Sequence, residues 1–193
     1  MGLDYRVRCC PDGLMTDRRH NVRVLDCTIR DGGCTNRWQF DRPFVERTAR
    51  ALAAAGVDVM EVGYWTEPGV YDRETHGAWR FCDEGDLVGL PRDPMKLAVM
   101  VDMNRIRKED LRPRDESVVD IVRAATYARD VPAAVDLLHH ARELGYETFC
   151  NVMAVTTCTP QEVDGFLAVL RESAVENVAV VDSFGAMYPH HLR

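Results

Sequence analysis

Apolar and polar positions fall into two alternating kinds of block along this chain. Short, nearly uninterrupted apolar runs ("RVLDCTI", "VDVMEVGY", "KLAVMVD", "SVVDIVRAA", "YETFCNVMAV" and "VENVAVVDSFG") are separated by longer stretches, several with the three-to-four-residue period of an amphipathic helix. The runs begin near positions 23, 58, 96, 118, 147 and 176, at intervals of 35, 38, 22, 29 and 29 residues. Such intervals are too long for hairpins and match the rhythm of βα units. Continuous rather than alternating apolar character suits strands of a parallel sheet covered on both faces. Between them, "RPFVERTARALAAAG" reads as a helix closed by Gly56, and "VPAAVDLLHHARELG" as another that ends on glycine. A third, "TPQEVDGFLAVLRES", has Thr159 placed to cap it and Pro160 in its first turn. "MNRIRKEDLRPRDE" is too short and polar for a crossover helix and predicts only a short helical turn. Residues 1–21 are polar and turn-rich, an arm or an antiparallel cover, and residues 22–193 form the domain.

Two α/β architectures fit this grammar: an open doubly wound sheet, or part of a (β/α)8 TIM barrel. A nucleotide-binding open sheet places a glycine-rich phosphate loop after its first strand. The corresponding "RDGGCTNRW" has neither G-x-G-x-x-G nor a P-loop lysine. Polar residues instead recur at the C-terminal ends of successive strands: Arg30 and Asp31, Glu61 and Tyr64, Asp102 and Asn104, Arg123, Asn151, and Asp182 with Ser183. Polar groups reaching one rim from many strands is the barrel pattern, and a partial TIM barrel of about six βα units is predicted.

With 193 residues, 46% of them hydrophobic, the chain fits one domain with a substantial core. A net charge of −7, with no stretch concentrating basic residues, argues against nucleic acid as a partner. No apolar run approaches membrane-spanning length, and "MGLDYRVRCCPDGLM" lacks the apolar centre of a signal peptide. The seven cysteines (Cys9, Cys10, Cys27, Cys34, Cys82, Cys150 and Cys158) form no C-x-x-C pair, and several fall inside apolar strands. An odd number so placed points to a reducing, cytoplasmic setting.

"DCTIRDGG", "EVGYW", "DIVRAA", "CNVMAV" and "VVDSFGAMYP" resemble, in order and spacing, motifs of the DRE-TIM metallolyase superfamily. The likeness is greatest to its 4-hydroxy-2-oxovalerate aldolase-like branch, and it runs from about Val24 to the C-terminus. It implies that Arg30 contacts substrate and stabilises an enolate oxygen, and that Asp31 is a ligand of a divalent metal, Mn²⁺ or Mg²⁺. An oxygen ligand suits such ions, and a fixed guanidinium is suited to neutralise an enolate. In isolation, the same dipeptide reads as a structural ion pair. Gly32 and Gly33 are expected to let the backbone turn sharply beside the substrate. Glu61 matches an acidic residue near the family's metal, with pairing to Arg30 or Arg123 as the alternative. Tyr64, Arg123, Asn151 and Ser183 are substrate-binding candidates at the same rim.

Two departures accompany the resemblance. Cys34 stands where hydroxy-oxovalerate aldolases carry a histidine resembling a general base, which makes it a candidate for proton transfer and leaves the base unassigned. The family's H-x-H metal pair on strand seven has no counterpart among His20, His76, His139, His140, His190 and His191. The expectation is therefore a barrel and metal site completed by a second polypeptide carrying strands seven and eight with H-x-H or by a homo-oligomer, with a truncated gene or fragment as the third alternative. The function implied is a metal-dependent aldolase-type carbon–carbon lyase or synthase, acting on a small 2-oxo acid with an aldehyde or acyl partner. An acyl-CoA-dependent Claisen-type condensing enzyme and a non-catalytic half-barrel subunit are the alternatives.

Overall fold

The computed structural model describes residues 22–192, so the expected arm at 1–21 lies outside the described residues. Six strands form a single parallel sheet: β1 (Leu25–Asp26), β2 (Val59–Trp65), β3 (Lys96–Asp102), β4 (Ile121–Tyr127), β5 (Glu147–Met153) and β6 (Asn177–Val180). Their spatial order is their sequence order, with none of the reversal that defines a doubly wound sheet. The sheet curls into a partial TIM barrel with helices on its outer face, as the rim pattern predicted.

Five helices lie between the strands: α1 (Thr28–Asn36), α2 (Arg42–Ala54), the four-residue α3 (Glu84–Leu87), α4 (Val131–Glu143) and α5 (Pro160–Glu172). The 103–116 connection holds only two short 3-10 turns, at Lys108–Asp110 and Arg114–Glu116. Helix α4 buries Val131, Ala134, Val135, Leu137, Leu138 and Ala141, the stripe that its periodicity predicted. Helix α5 starts at a reciprocal cap: the Thr159 hydroxyl accepts from the Glu162 backbone N–H, and the Glu162 carboxylate accepts from that of Thr159.

Strands β2 to β5 serve two cores. Outward-facing Met60, Val62, Leu97, Val99, Val122, Ala124, Cys150 and Val152 pack with the helices into the main apolar cluster. Inward-facing residues stack in layers. Val59, Ala98 and Ile121, with Leu25 and Phe149 against them, form the layer near the strand N-termini. Tyr64, Met100 and Ala125, with Trp38 and Met153, form the layer near the C-terminal rim. Between these apolar layers lies a polar one.

The first strand departs from expectation. "RVLDCTI" predicts a strand through Ile29, but β1 stops at Asp26 and α1 begins at Thr28. Asp26 causes the early stop: its carboxylate accepts from the Thr28 backbone N–H at 3.0 Å and from the Thr28 hydroxyl at 2.8 Å. A short carboxylate that satisfies the first helical donors initiates a helix however apolar the next residues are. Arg30, Asp31, Gly32 and Gly33 thus lie on a helix at the rim rather than in a turn.

Candidate active site

The polar layer is a continuous chain of side chains across the barrel. Glu61, on β2, is fully buried. One of its carboxylate oxygens accepts from Arg30 Nε of α1, and the other from Arg123 Nη1 of β4. Arg123 Nη2 then donates to Asn151 Oδ1 of β5 at 3.3 Å, and Asn151 Nδ2 lies 3.5 Å from Met100 Sδ of β3. Arg30 also pairs through Nη1 with Asp31. Four of the eight sequence-predicted site residues (Arg30, Glu61, Arg123 and Asn151) therefore meet directly, and Asp31 joins them through Arg30. The alternative for Glu61, pairing with Arg30 or Arg123, is met with both arginines at once. The ion pair expected for an isolated Arg–Asp dipeptide is present as well.

A carboxylate with no solvent access is tolerable only when compensated, and two guanidiniums do this for Glu61. Burial works to lower the Arg30 pKa, but the Glu61 charge and hydrogen bond outweigh it and raise the pKa above its usual value. Arg30 is thus a permanent cation held rigidly by its Nε, with 16% of its side chain exposed toward solvent. A preorganised, partly desolvated cation of this kind stabilises negative charge that develops beside it.

Tyr64 is 8% exposed, and burial, opposed by the Arg30 charge, pushes its hydroxyl up to about 12. It stays a neutral donor at physiological pH. A bulge between Glu61 and Gly63 shifts the β2–β3 register, so that Tyr64 pairs with Met100 and joins the inner rim layer. Cys34 lies one helical turn beyond Arg30 and is exposed; burial of its sulfur and the Asp31 charge push the thiol pKa up. It is protonated at neutral pH, which makes it a poor base. Ser183 stands apart from the chain, on the segment after β6, where its hydroxyl accepts from the Ala154 N–H at 2.9 Å.

The expectation for the glycine pair is corrected. A Cβ at Gly33 would lie 1.9 Å from the Trp38 side chain, so the room that this glycine creates is filled by Trp38 and not by backbone turning toward a ligand. Trp38 and Arg80 are the residues that the sequence reading missed. Both lie in connections without apolar periodicity, Trp38 between α1 and α2 and Arg80 between β2 and β3.

Asp31, with 63% of its side chain exposed, offers one carboxylate to a cation. Among the described residues no group of three or more His, Cys, Asp or Glu side chains converges as a metal cradle. The residues described here therefore do not by themselves fit a divalent ion.

No protein-family model matches the chain. It is 30% identical over 178 residues to 4-hydroxy-2-oxovalerate aldolase 6 of Rhodococcus jostii, covering 91% of this chain and 50% of that protein. It is 29% identical over 170 residues to 4-hydroxy-2-oxovalerate aldolase 2 of Mycobacterium ulcerans, covering 86% of this chain and 48% of the relative. To 4-hydroxy-2-oxohexanoate aldolase of Mycobacterium tuberculosis it is 29% identical over 176 residues, 90% of this chain and 50% of the other. The chain thus spans about half the length of the curated relatives it matches. Among solved structures, the N-terminal domain of a candidate aldolase from Bacteroides vulgatus superposes with a TM-score of 0.56 at 23% identity. That match covers 83% of this chain and 62% of the other and establishes the shared fold. The motif resemblance to the DRE-TIM metallolyases holds: over most of its length, this chain is a homologue of proteins named 4-hydroxy-2-oxovalerate aldolases.

Proposed function

We propose that this protein is an aldolase-type carbon–carbon lyase or synthase that acts on a small 2-oxo acid through an enolate. The observation that carries the reading is the buried bridge from Arg30 through Glu61 to Arg123 at the barrel mouth, in a chain whose relatives carry aldolase names. The carboxylate and oxo oxygens of a 2-oxo acid need fixed cationic donors. Arg30 supplies one whose position is set by Glu61 and which neutralises charge on the oxo oxygen as the carbon–carbon bond breaks. Arg123 and Asn151 orient the substrate, and the neutral Tyr64 hydroxyl donates a hydrogen bond from the rim layer. Cys34 is the nearest candidate for proton transfer on α1, acting as a donor rather than a base. A divalent ion, with Asp31 as one ligand and the others from outside the described residues, would supply further electrophilic assistance to the oxo group.

The reading includes completion of the barrel. Strand β6 pairs with β5 on one side, and its Val178 and Val180 are about half exposed. Beside it, Val155, Val163, Phe166, Val180 and Met187 line a largely apolar cavity of about 550 Å³. A further parallel strand and helix packed there would pair the β6 edge and cover these side chains. The remaining barrel strands and metal ligands take that place in this reading, supplied by further residues of the same polypeptide or by a partner.

Deuterium exchange into the methyl group of pyruvate, followed by NMR in D₂O with Mn²⁺, tests the proposal on the assembly purified intact from cells. Exchange above the buffer rate that disappears in Arg30→Met supports it. An assembly that binds pyruvate without exchange transfers the chain to the non-catalytic reading, and an assembly that does neither overturns the proposal.

A further inference from the structure

Arg80 is the most buried cation among the described residues, 1% exposed, in the 3-10 turn Ala78–Arg80 of the β2–β3 connection. Aromatic rings and one carboxylate surround it. The Tyr64 ring lies 3.9 Å from its guanidinium carbon, the Tyr71 ring 4.0 Å and the Trp38 ring 4.9 Å. Asp102, at the end of β3, accepts from its Nη2 at 3.0 Å and is itself held by Arg105 at 3.2 Å. Its Nε finds no hydrogen-bond partner among the described residues. A buried guanidinium needs this surround, since ring faces and a counter-ion replace its lost hydration. An apolar side chain would fill the same volume without the desolvation cost, so the charge itself calls for a reason.

The walls of the box come from separate elements, and two of them lead to the active site. Tyr64 is a rim residue of the site. Trp38 donates its indole N–H to the Arg30 backbone carbonyl at 2.9 Å. That indole is closely confined: its edge meets Tyr64 at 5.4 Å between centroids, and a Cβ at Gly33 would collide with it. Its backbone sits in the left-handed region, at φ 57°, an uncommon conformation for a bulky residue. The path from Arg80 to Arg30 is therefore short and physical: cation to indole face, and indole N–H to the carbonyl of the working arginine.

We propose that Arg80 is a positioning residue, which, through the Trp38 indole and the Tyr64 ring, fixes the α1 turn carrying Arg30 and thereby the placement of the 2-oxo acid anion. The proposal rests on the reading of Arg30 as the group that meets substrate. Its effect is on orientation: without the box, Trp38 loses the cation that holds its face, and the Arg30 carbonyl loses a fixed donor.

The test uses Arg80→Met, which removes the charge but keeps much of the side chain's length, and Trp38→Phe, which keeps a ring wall but removes the hydrogen bond to Arg30. Two readouts separate this proposal from the functional one. The first is the Arg30 Nε–H resonance in ¹H–¹⁵N spectra without ligand. It is expected to shift and exchange faster in both variants, while the amide signals of β4 and β5 stay in place. The second is pyruvate affinity by calorimetry, expected to fall about tenfold in Trp38→Phe, the equivalent of one lost orienting hydrogen bond. A purely structural Arg80 lowers the melting temperature and moves neither readout. An unchanged Arg30 resonance in folded Trp38→Phe overturns the positioning proposal whatever the protein binds. A shifted resonance in a protein that never binds pyruvate leaves the positioning role standing and defeats the 2-oxo acid reading.

Discussion

Glu61 fixes the residues around it, because one carboxylate with no solvent access bridges two arginines. Replacing it by glutamine keeps the shape but leaves Arg123 without its counter-charge and Arg30 with Asp31 alone. Glu61→Gln is expected to destabilise the protein by about 3–5 kcal/mol, the range for breaking a buried ion pair from one side, as read by denaturant unfolding. Gly33→Ala tests a different constraint. Its new methyl would overlap Trp38 and force the indole from its seat, at a cost of roughly 1–3 kcal/mol and with a change in tryptophan fluorescence. Arg30, Glu61, Arg123 and Asn151 were legible in the sequence because each ends an apolar run or interrupts its inner face. Arg80 and Trp38 were not. Their significance lies in a box whose walls stand far apart in the chain, and neither apolar period nor spacing reports a contact of that kind.

Five of the six strands and the three long interior helices were readable from apolar runs and caps, since a parallel strand covered on both faces has few places for a polar residue. The exceptions have local causes. Asp26 ends β1 early by accepting from the Thr28 N–H and hydroxyl at the start of α1, and a one-residue bulge in β2 turns Tyr64 to the inner face. Neither signal has a period. The cap of α5 was readable, and Thr159→Ala is expected to cost about 1 kcal/mol in thermal or denaturant unfolding. At the strand N-termini, Glu147 accepts from Arg23 at 2.6 Å and from Lys96 at 2.8 Å, tying β5 to β3 and to the segment before β1. Burial works to raise its pKa, but the Arg23 and Lys96 hydrogen bonds prevail and hold it below the usual 4.5. A carboxylate with a depressed folded-state pKa stabilises the fold above its unfolded value, and the contribution disappears as pH falls through the folded one. Thermal stability is therefore expected to drop as the pH falls below 4.5, and Glu147→Gln to flatten that acid limb in melts collected across the range.

The whole molecule is a curled sheet whose inner face is built as layers, apolar near the strand N-termini, charged in the middle and aromatic at the rim. This arrangement explains why the chemistry gathers at one end. The strand N-termini carry ion pairs that hold elements together, whereas the C-terminal rim carries an exposed carboxylate, a partly exposed guanidinium and a neutral phenol. The half-exposed valines of β6 and the apolar cavity beside α5 fit a further strand and helix, and native mass spectrometry of the protein purified intact from cells is expected to show mass beyond these 193 residues; a stable monomer of these residues alone with a cooperative melt contradicts the completion proposal. The central claim, that the arginine layer meets a 2-oxo acid, is tested most directly by calorimetric titration of pyruvate into the folded wild type and Arg30→Met. The account predicts saturable binding by the wild type that weakens by about tenfold or more in the variant, the loss expected for a charge-assisted contact. Equal affinity in both proteins, or no binding by a wild type that melts cooperatively, contradicts it.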